Sequence, residues 1–187
     1  MARKGLLAPP GKDPWITLSS EVVHRSEWNT LRVDMVVRPN GTLGTYDVLE
    51  RPSGSQIIAR TKNDEIFLVG QYRYPTRRWS WELPGGLRNK RESRIAAAKR
   101  ELWEEIGAHA RKWTHLGDLP LLCGTTPASV EVFVAEGIRM TEMRPAIEDG
   151  IQKVIAVPFP KVLELVRRGE IDNAPAVSSI FLYYLHR

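Results

Sequence analysis

The stretch that decides the fold runs from Gly86 to Ala108 and reads GLRNKRESRIAAAKRELWEEIGA. Its second half has the period of an amphipathic helix, with an apolar residue at every third or fourth position. These apolar positions are Ile95, Ala98, Leu102 and Ile106. Gly107 follows them and supplies a helix stop. The pattern therefore predicts a helix over residues 93–106 with one face turned toward a core.

Strands are predicted on both sides of this helix, wherever apolar and β-branched residues form short runs between turn signals. Before the helix, the runs cover residues 22–24, 31–37, 46–50, 55–59, 66–74 and 79–83. After it, two or three short strands are predicted, including residues 130–134 and 154–157, together with two more helices over 161–168 and 174–185. Strands that bracket isolated helices indicate an α/β (α+β) fold with a mixed sheet, since no long run of βαβ units is present.

The chain length of 187 residues suits one main domain with a small additional subdomain. Pro39-Asn40-Gly41 predicts a turn between two strands, and therefore an N-terminal antiparallel hairpin. The apolar start of the chain is too short for a signal peptide and stops at two prolines. We expect a loose leader over residues 1–14, a β subdomain over 15–52 and the main domain over 53–187.

Composition places the chain among soluble globular proteins, since 42% of its residues are hydrophobic and 26% are charged. No apolar run approaches the roughly 20 residues that cross a bilayer, so no membrane partner is expected. The single cysteine, Cys123, excludes an intramolecular disulfide and favours a reducing, cytoplasmic setting. Its neighbours Leu121 and Leu122 predict that the thiol is buried. The net charge of +5 favours anionic partners without choosing among them.

Three carboxylates cluster on the predicted helix. Glu101 stands three and four residues before Glu104 and Glu105, so all three side chains lie close together and repel one another. A cation would offset that repulsion, and oxygen ligands suit Mg²⁺, which commonly takes one or two carboxylates together with water and phosphate oxygens. The alternative is a solvated acidic helix face, because glutamate is a good helix former. The glycine pair before the helix, Arg100 within the acidic set and Gly107 favour the metal site.

The spacing of these residues resembles a known family motif. Gly86, five residues, Glu92, seven residues and then Arg100 to Ala108 are similar to the Nudix box, whose pattern is Gly-x5-Glu-x7-Arg-Glu-U-x-Glu-Glu-x-Gly-U, with U a bulky aliphatic residue. Every fixed letter matches. The one departure is Ala108, which is smaller than the usual last aliphatic residue and affects packing rather than metal binding. The resemblance implies a Nudix-type α/β/α sandwich, with 53–187 as the catalytic domain.

By position, the resemblance implies a divalent-metal site for hydrolysis of a nucleoside diphosphate compound. Glu101 and Glu105 would be the principal ligands of Mg²⁺, with Mn²⁺ possible, and Glu104 a further ligand. A main-chain carbonyl near Gly85 would complete the set. Arg100 would orient the carboxylates together with Glu92. Arg100, Glu101 and Glu105 are therefore the predicted catalytic residues within the box.

The flanks resemble one branch of the family, the ADP-ribose pyrophosphatases and nucleoside diphosphate sugar hydrolases. The similar segments are 50–52, 71–74, 81–86 and 168–173. In that branch, arginines at the positions of Arg51 and Arg73 contact substrate phosphates or the terminal ribose, a task that suits the guanidinium fork. Glu82 falls within the matching segment and is included among the substrate-binding residues.

The same resemblance implies a homodimer, because the N-terminal hairpin of this branch exchanges or packs against a partner subunit. Its aromatic residues stack on the base, and Trp28 and Tyr46 are the candidates here. The resemblance also implies an acidic residue on a loop before the last strand, which is proposed as the general base in this family. Residues 140–150 offer Glu142, Glu148 and Asp149, of which we favour Glu148 because it stands closest to the returning strand.

Three functions compete at this stage. The first is hydrolysis of ADP-ribose or a nucleoside diphosphate sugar to a nucleoside monophosphate and a sugar phosphate. The second is action on an RNA 5′ end or a dinucleoside polyphosphate, although the basic residues are scattered and nucleic acid is an unlikely partner. The third is a non-catalytic nucleotide sensor, against which the intact acidic set argues.

Overall fold

A computed structural model describes residues 13–141 and 150–187. The chain divides into two compact units, Met1–Arg51 and Pro52–Arg187. Glu142, Glu148 and Asp149 lie outside the described residues, and so does most of the predicted leader. No helix in the described ranges has the length and apolarity that crossing a membrane requires.

The first unit is a three-stranded antiparallel sheet in the order β1-β2-β3. Its strands are β1 (Ile16–Arg25), β2 (Thr30–Val37) and β3 (Leu43–Glu50). The predicted β2–β3 hairpin is confirmed, and Gly41 takes a left-handed φ of 82° at its turn. The observed β1 is longer than the three residues predicted for it. Two register shifts, between Thr17 and Ser19 and between Val22 and His24, explain this difference because they interrupt the apolar alternation.

The second unit is built on a mixed sheet in the order β11-β5-β4-β9-β8, with β6 paired to β5. Its strands are β4 (Gly54–Arg60), β5 (Glu65–Arg73), β6 (Arg78–Glu82), β8 (Lys112–Pro120), β9 (Ser129–Glu136) and β11 (Ile151–Pro158). The short strands β7 (Ala108–His109) and β10 (Arg139–Met140) pair separately. Strands β4 and β9 run parallel and the other pairs are antiparallel, which confirms the mixed sheet.

Helices cover both faces of this sheet. They are α1 (Arg94–Ile106), α2 (Phe159–Arg167) and α3 (Ala174–Tyr184), each within two residues of its predicted bounds. Adjacent side chains of β4 point to opposite faces of the sheet. Ile57 lies in the core cluster with Leu102 of α1, whereas Ile58 lies in the cluster with Phe159 of α2. The α/β/α sandwich predicted from the sequence is confirmed.

Two sequence expectations fail. The position of strand β8 was not predicted, because a register shift between His115 and Gly117 breaks the alternation that would have revealed it. The predicted burial of Cys123 is wrong, since this thiol is exposed. The preceding Leu122 is itself 61% exposed, in a turn where its carbonyl accepts a hydrogen bond from the Thr125 N–H. Apolar neighbours are therefore a poor guide to burial in this turn.

Replacing Leu102 with alanine tests the α1 layer. Leu102 is fully buried, so Leu102→Ala removes packed methyl groups and should lower the free energy of unfolding by about 2–5 kcal/mol. The adjacent Trp103 is 50% exposed on the same helix, and Trp103→Ala should change that free energy by only about 0.5 kcal/mol. Urea denaturation measures both variants. Equal effects would show that α1 does not pack as described.

Candidate active site

Helix α1 presents its three glutamates at different depths. Ser93 caps the first turn by accepting a hydrogen bond from the Ala96 N–H, and Gly107 ends the helix in a left-handed conformation. Between these caps, Glu101 and Glu105 are 8% and 6% exposed and turn toward the sheet. The Glu104 side chain is 40% exposed at the rim. The helix therefore places two carboxylates inside the protein and a third at its edge.

Arg100 binds all of the acidic groups around it except Glu105. Its Nε and one terminal nitrogen donate to the two oxygens of Glu92 at 3.0 and 3.1 Å. Its other terminal nitrogen donates to Glu101 at 2.7 Å and to Glu104 at 2.8 Å. The hydrogen bonds from Arg100 lower the pKa of Glu92, and the same bonds raise the pKa of Arg100 itself. Glu92 and Arg100 are therefore both held in their charged forms.

A turn at Pro84-Gly85-Gly86 connects β6 to the loop before α1. Strand β4 holds this turn, because the Ser55 and Ile57 N–H groups donate to the carbonyls of Gly86 and Pro84, each at 2.8 Å. The Gly85 N–H in turn donates to Oε2 of Glu105 at 2.8 Å. Gly85 has a φ of 154°, and a side chain there would collide with the Ser55 carbonyl. The close packing of this turn on β4 thus requires glycine at position 85.

Gly86 leaves space for a carboxylate. A Cβ atom at this position would lie 2.5 to 2.6 Å from the carboxylate atoms of Glu101, closer than atoms can approach without a bond. The backbone of Gly86 does not have the positive φ that only glycine tolerates well. Position 86 therefore requires glycine because it has no side chain, and not because of its conformational freedom.

Glu105 is the carboxylate in the least favourable surroundings. Burial raises its pKa well above the usual value, and the charges of Glu101 and Glu82 add to that effect. The hydrogen bond from Gly85 and the charge of Arg73 oppose it. A group with these surroundings is stabilised in its ionised form by a nearby cation, which is the condition expected of a metal ligand.

Arg73 and Glu82 form a bidentate ion pair. Nε and one terminal nitrogen of Arg73 donate to the two oxygens of Glu82 at 2.9 and 2.8 Å. Glu82 is 5% exposed at the end of β6, whereas the Arg73 side chain is 46% exposed at the end of β5. The two residues were predicted separately as substrate contacts. The structure brings them together, with the buried Glu82 fixing the orientation of Arg73.

The remaining predicted residues belong to the first unit or lie outside the described ranges. Trp28 is 51% exposed after β1, and Tyr46 in β3 packs edge-on against Trp15, with ring centroids 5.3 Å apart. Arg51 is exposed at the end of that unit. Glu148, the favoured general base, lies in the undescribed segment with Glu142 and Asp149.

A model of the NUDIX domain matches residues 51–176, which is more than half of the chain. The chain belongs to the Nudix family. A model of the nucleoside diphosphate sugar hydrolase N-terminal domain matches residues 15–49. The protein is thus a Nudix hydrolase whose N-terminal segment is similar to that of nucleoside diphosphate sugar hydrolases.

Individual relatives agree with this assignment. An ADP-ribose pyrophosphatase of Mycobacterium tuberculosis is 35% identical over 88% of this chain and 80% of its own. An ADP-ribose pyrophosphatase of Bacillus subtilis is 30% identical over 88% of this chain and 89% of its own. A crystal structure of an ADP compounds hydrolase matches with a TM-score of 0.80 at 22% identity, over 95% and 96% of the two chains. The last match shows the shared Nudix fold.

Nudix hydrolases generally use divalent metal ions, and the residues present fit one. In the described ranges no three histidine, cysteine, aspartate or glutamate side chains converge as a ready metal cluster. Mg²⁺ needs only one or two carboxylates, because water and phosphate oxygens complete its shell. The buried Glu105 and the space that Gly86 leaves beside Glu101 meet that smaller requirement.

Sequence reasoning overlooked one buried acidic residue in this region. Glu131 is 1% exposed in β9, and its carboxylate lies 3.2 Å from Nε of Arg94. A signal was present, since Glu131 interrupts the apolar run from Val130 to Ala135. A charged residue within such a run is buried only when it is paired.

Adding one methyl group at Gly86 tests the space beside Glu101. In Gly86→Ala the carboxylate must move by about 1 Å, a displacement that can lower turnover about a hundredfold. The backbone at Gly86 accepts alanine, so we expect a circular dichroism spectrum like that of the parent protein. Steady-state kinetics with Mg²⁺ measures the loss. Unchanged turnover would show that the position of the Glu101 carboxylate is not critical.

Proposed function

We propose that this Nudix hydrolase cleaves the pyrophosphate linkage of ADP-ribose or a related nucleoside diphosphate sugar. The observation that carries the proposal is the pair of buried carboxylates, Glu101 and Glu105, packed against the Pro84-Gly85-Gly86 turn. Two relatives at 30% identity or more are named ADP-ribose pyrophosphatases, and the N-terminal segment matches the nucleoside diphosphate sugar hydrolase domain. These names support the substrate class.

In the proposed reaction, the oxygen of a water molecule bonds to one phosphorus of the diphosphate. The bond from that phosphorus to the bridging oxygen breaks, and the bridging oxygen leaves with the other phosphate. The products are a nucleoside monophosphate and a sugar phosphate, and the water releases one proton to the general base. The protein's main tasks in such a displacement are to position the groups and to stabilise charge.

We assign the cation site to Glu101 and Glu105, with Glu104 as a further ligand and a main-chain carbonyl near Gly85. Mg²⁺ is the proposed ion, and Mn²⁺ is the alternative. A bound divalent ion would neutralise charge on the diphosphate and lower the pKa of a bound water. Arg100 keeps Glu101 and Glu104 close together before the ion binds, since one terminal nitrogen donates to both.

Arg73 is proposed to bind a substrate phosphate. Glu82 is buried and holds the Arg73 guanidinium in one plane, so we assign it the task of positioning Arg73 rather than contacting substrate. The resemblance to the branch also assigns Arg51 to phosphate or ribose, Trp28 and Tyr46 to the base, and Glu148 to the general base. The roles of these four residues stay predictions.

Glu105→Gln tests the metal assignment. An amide of the same shape keeps the packing but loses the charge that holds the ion, which should lower turnover by about three orders of magnitude. Burial disfavours the ionised form of Glu105, so the variant should unfold at the same temperature as the parent or higher. Glu164→Gln in α2, where Glu164 pairs with Lys161, is the matched control with full activity. Full activity in Glu105→Gln would refute the assignment.

A substrate panel tests the proposed reaction. Purified protein with Mg²⁺ or Mn²⁺ should release a nucleoside monophosphate from ADP-ribose or a sugar nucleotide, as detected by chromatography. The panel also contains FAD, NADH, diadenosine polyphosphates and RNA with a 5′ triphosphate. Activity on RNA alone would replace the proposal with the second function, and binding without turnover of any compound would favour a sensor.

A homodimer is the proposed assembly. Several large apolar side chains of the first unit are exposed, and a partner subunit would cover them. They are Ile16, Leu18, Val22, Val23, Met35 and Leu43. Light scattering after size exclusion should give a mass of about twice the 21.2 kDa of one chain. A single species at the monomer mass would contradict this proposal.

A further inference from the structure

Glu131 is a buried carboxylate outside the motif of the family. It lies on an interior strand of the sheet, where β9 pairs it with Ser55 of β4 on one side and Asp118 of β8 on the other. Only 1% of its surface is exposed. A carboxylate in such a position is costly unless a cation is held against it. The cations that pair with Glu131 therefore determine the cost of its burial.

Two arginines approach the same oxygen of Glu131. Nε of Arg94 lies 3.2 Å from Oε1, and a terminal nitrogen of Arg88 lies 3.9 Å from it. Among the described residues, the other oxygen has no hydrogen-bond partner, so the pairing runs through Oε1. Arg94 also binds Asp118 at 2.8 Å. The sheet thus holds Arg94 from two adjacent strands.

The position of Arg94 makes these contacts necessary. It is the first residue of α1, where the partial positive charge of the helix end disfavours a cation. No acidic residue of the first turn compensates for it. The carboxylates of Glu131 and Asp118 supply the missing charge from the sheet, and they fix the start of α1 against β8 and β9.

Arg88 and Arg94 stand at the two ends of the loop that contains Glu92. The Arg88 N–H donates to the Ser53 carbonyl at 2.9 Å, so the start of this loop is also held by the residue that precedes β4. Within the loop, the Asn89 N–H donates to Glu92 at 3.0 Å, and Glu92 accepts two hydrogen bonds from Arg100. Any movement of the loop ends would therefore reach Arg100 through Glu92.

We propose that Glu131 is a positioning residue for the metal site. It fixes Arg88 and Arg94, and through them the loop that sets Glu92 and Arg100, so that Glu101 and Glu104 are held where the cation binds. The inference rests on the proposed metal role of these glutamates. Glu131 itself contacts neither the cation nor the substrate.

Mn²⁺ binding without substrate tests this inference. The free-ion signal in electron paramagnetic resonance gives the dissociation constant of the parent protein and of two variants, Glu131→Gln and Arg94→Gln. Both variants should bind Mn²⁺ about tenfold more weakly, at the lower end of the effect of groups that orient metal ligands. The arginine variant is decisive, because removing a positive charge by itself would strengthen cation binding. Weaker Mn²⁺ binding in Arg94→Gln would therefore show that Arg94 acts by positioning the metal ligands and not through its charge.

Glu136→Gln is the matched control. Glu136 lies in the same strand and pairs with Arg60 and Lys112, away from the loop before α1. This variant also loses two ion pairs, although its carboxylate is 29% exposed against 1% for Glu131, and it should bind Mn²⁺ like the parent. Urea denaturation of all variants separates metal affinity from stability.

Unchanged or tighter Mn²⁺ binding in Arg94→Gln would overturn the inference, and this variant decides the matter even where Glu131→Gln does not fold. Equal weakening in Glu136→Gln would overturn it too, because any lost ion pair would then have the same effect. If the parent protein itself fails to bind Mn²⁺, both the proposed metal site and this inference fall. Binding by the parent with no effect of either variant removes the inference alone.

Discussion

One guanidinium holds together the acidic groups around the proposed metal site. Arg100 donates to Glu92, Glu101 and Glu104 and also to the Leu87 carbonyl at 2.9 Å. Glutamates three and four residues apart on a helix repel one another, and Arg100 offsets that repulsion from within the same turn. It also fastens the preceding loop to the helix. The acidic face of α1 can therefore form before any cation is present.

Strand β4 supplies the rigid side of the site. Its N–H groups hold the Pro84-Gly85-Gly86 turn, and the turn holds Glu105 through the Gly85 N–H. Glycine at position 85 allows the approach to β4, and glycine at 86 allows the approach of Glu101. Because β4 also separates the α1 core from the α2 and α3 core, the same strand positions the Pro84-Gly85-Gly86 turn and carries the packing of both layers.

The acidic groups of the site differ because their surroundings differ. Glu92 accepts hydrogen bonds from Arg100, which lower its pKa, whereas burial raises the pKa of Glu105. Glu82 is buried as well, but the bidentate pair with Arg73 provides its counter-charge. Among the residues that the structure describes, Glu105 is buried without an ion pair to an arginine, and such a carboxylate is the one best suited to a metal ion. This reasoning selects Glu105 on physical grounds, independently of its place in the motif.

The sequence by itself determined the features that depend on local spacing. The helical period over 93–106, the spacing of Glu101, Glu104 and Glu105, and the turn at Gly41 each follow from residues close together in the chain. Tertiary structure alone decided the pairing of Arg73 with Glu82, the shift in the pKa of Glu105 and the burial of Glu131. Those features join residues that are distant in the chain and lie on different strands or on α1, and burial and hydrogen bonding depend on where the fold places them. The position of strand β8 escaped prediction for a related reason, because a bulge broke the local pattern that would have identified it.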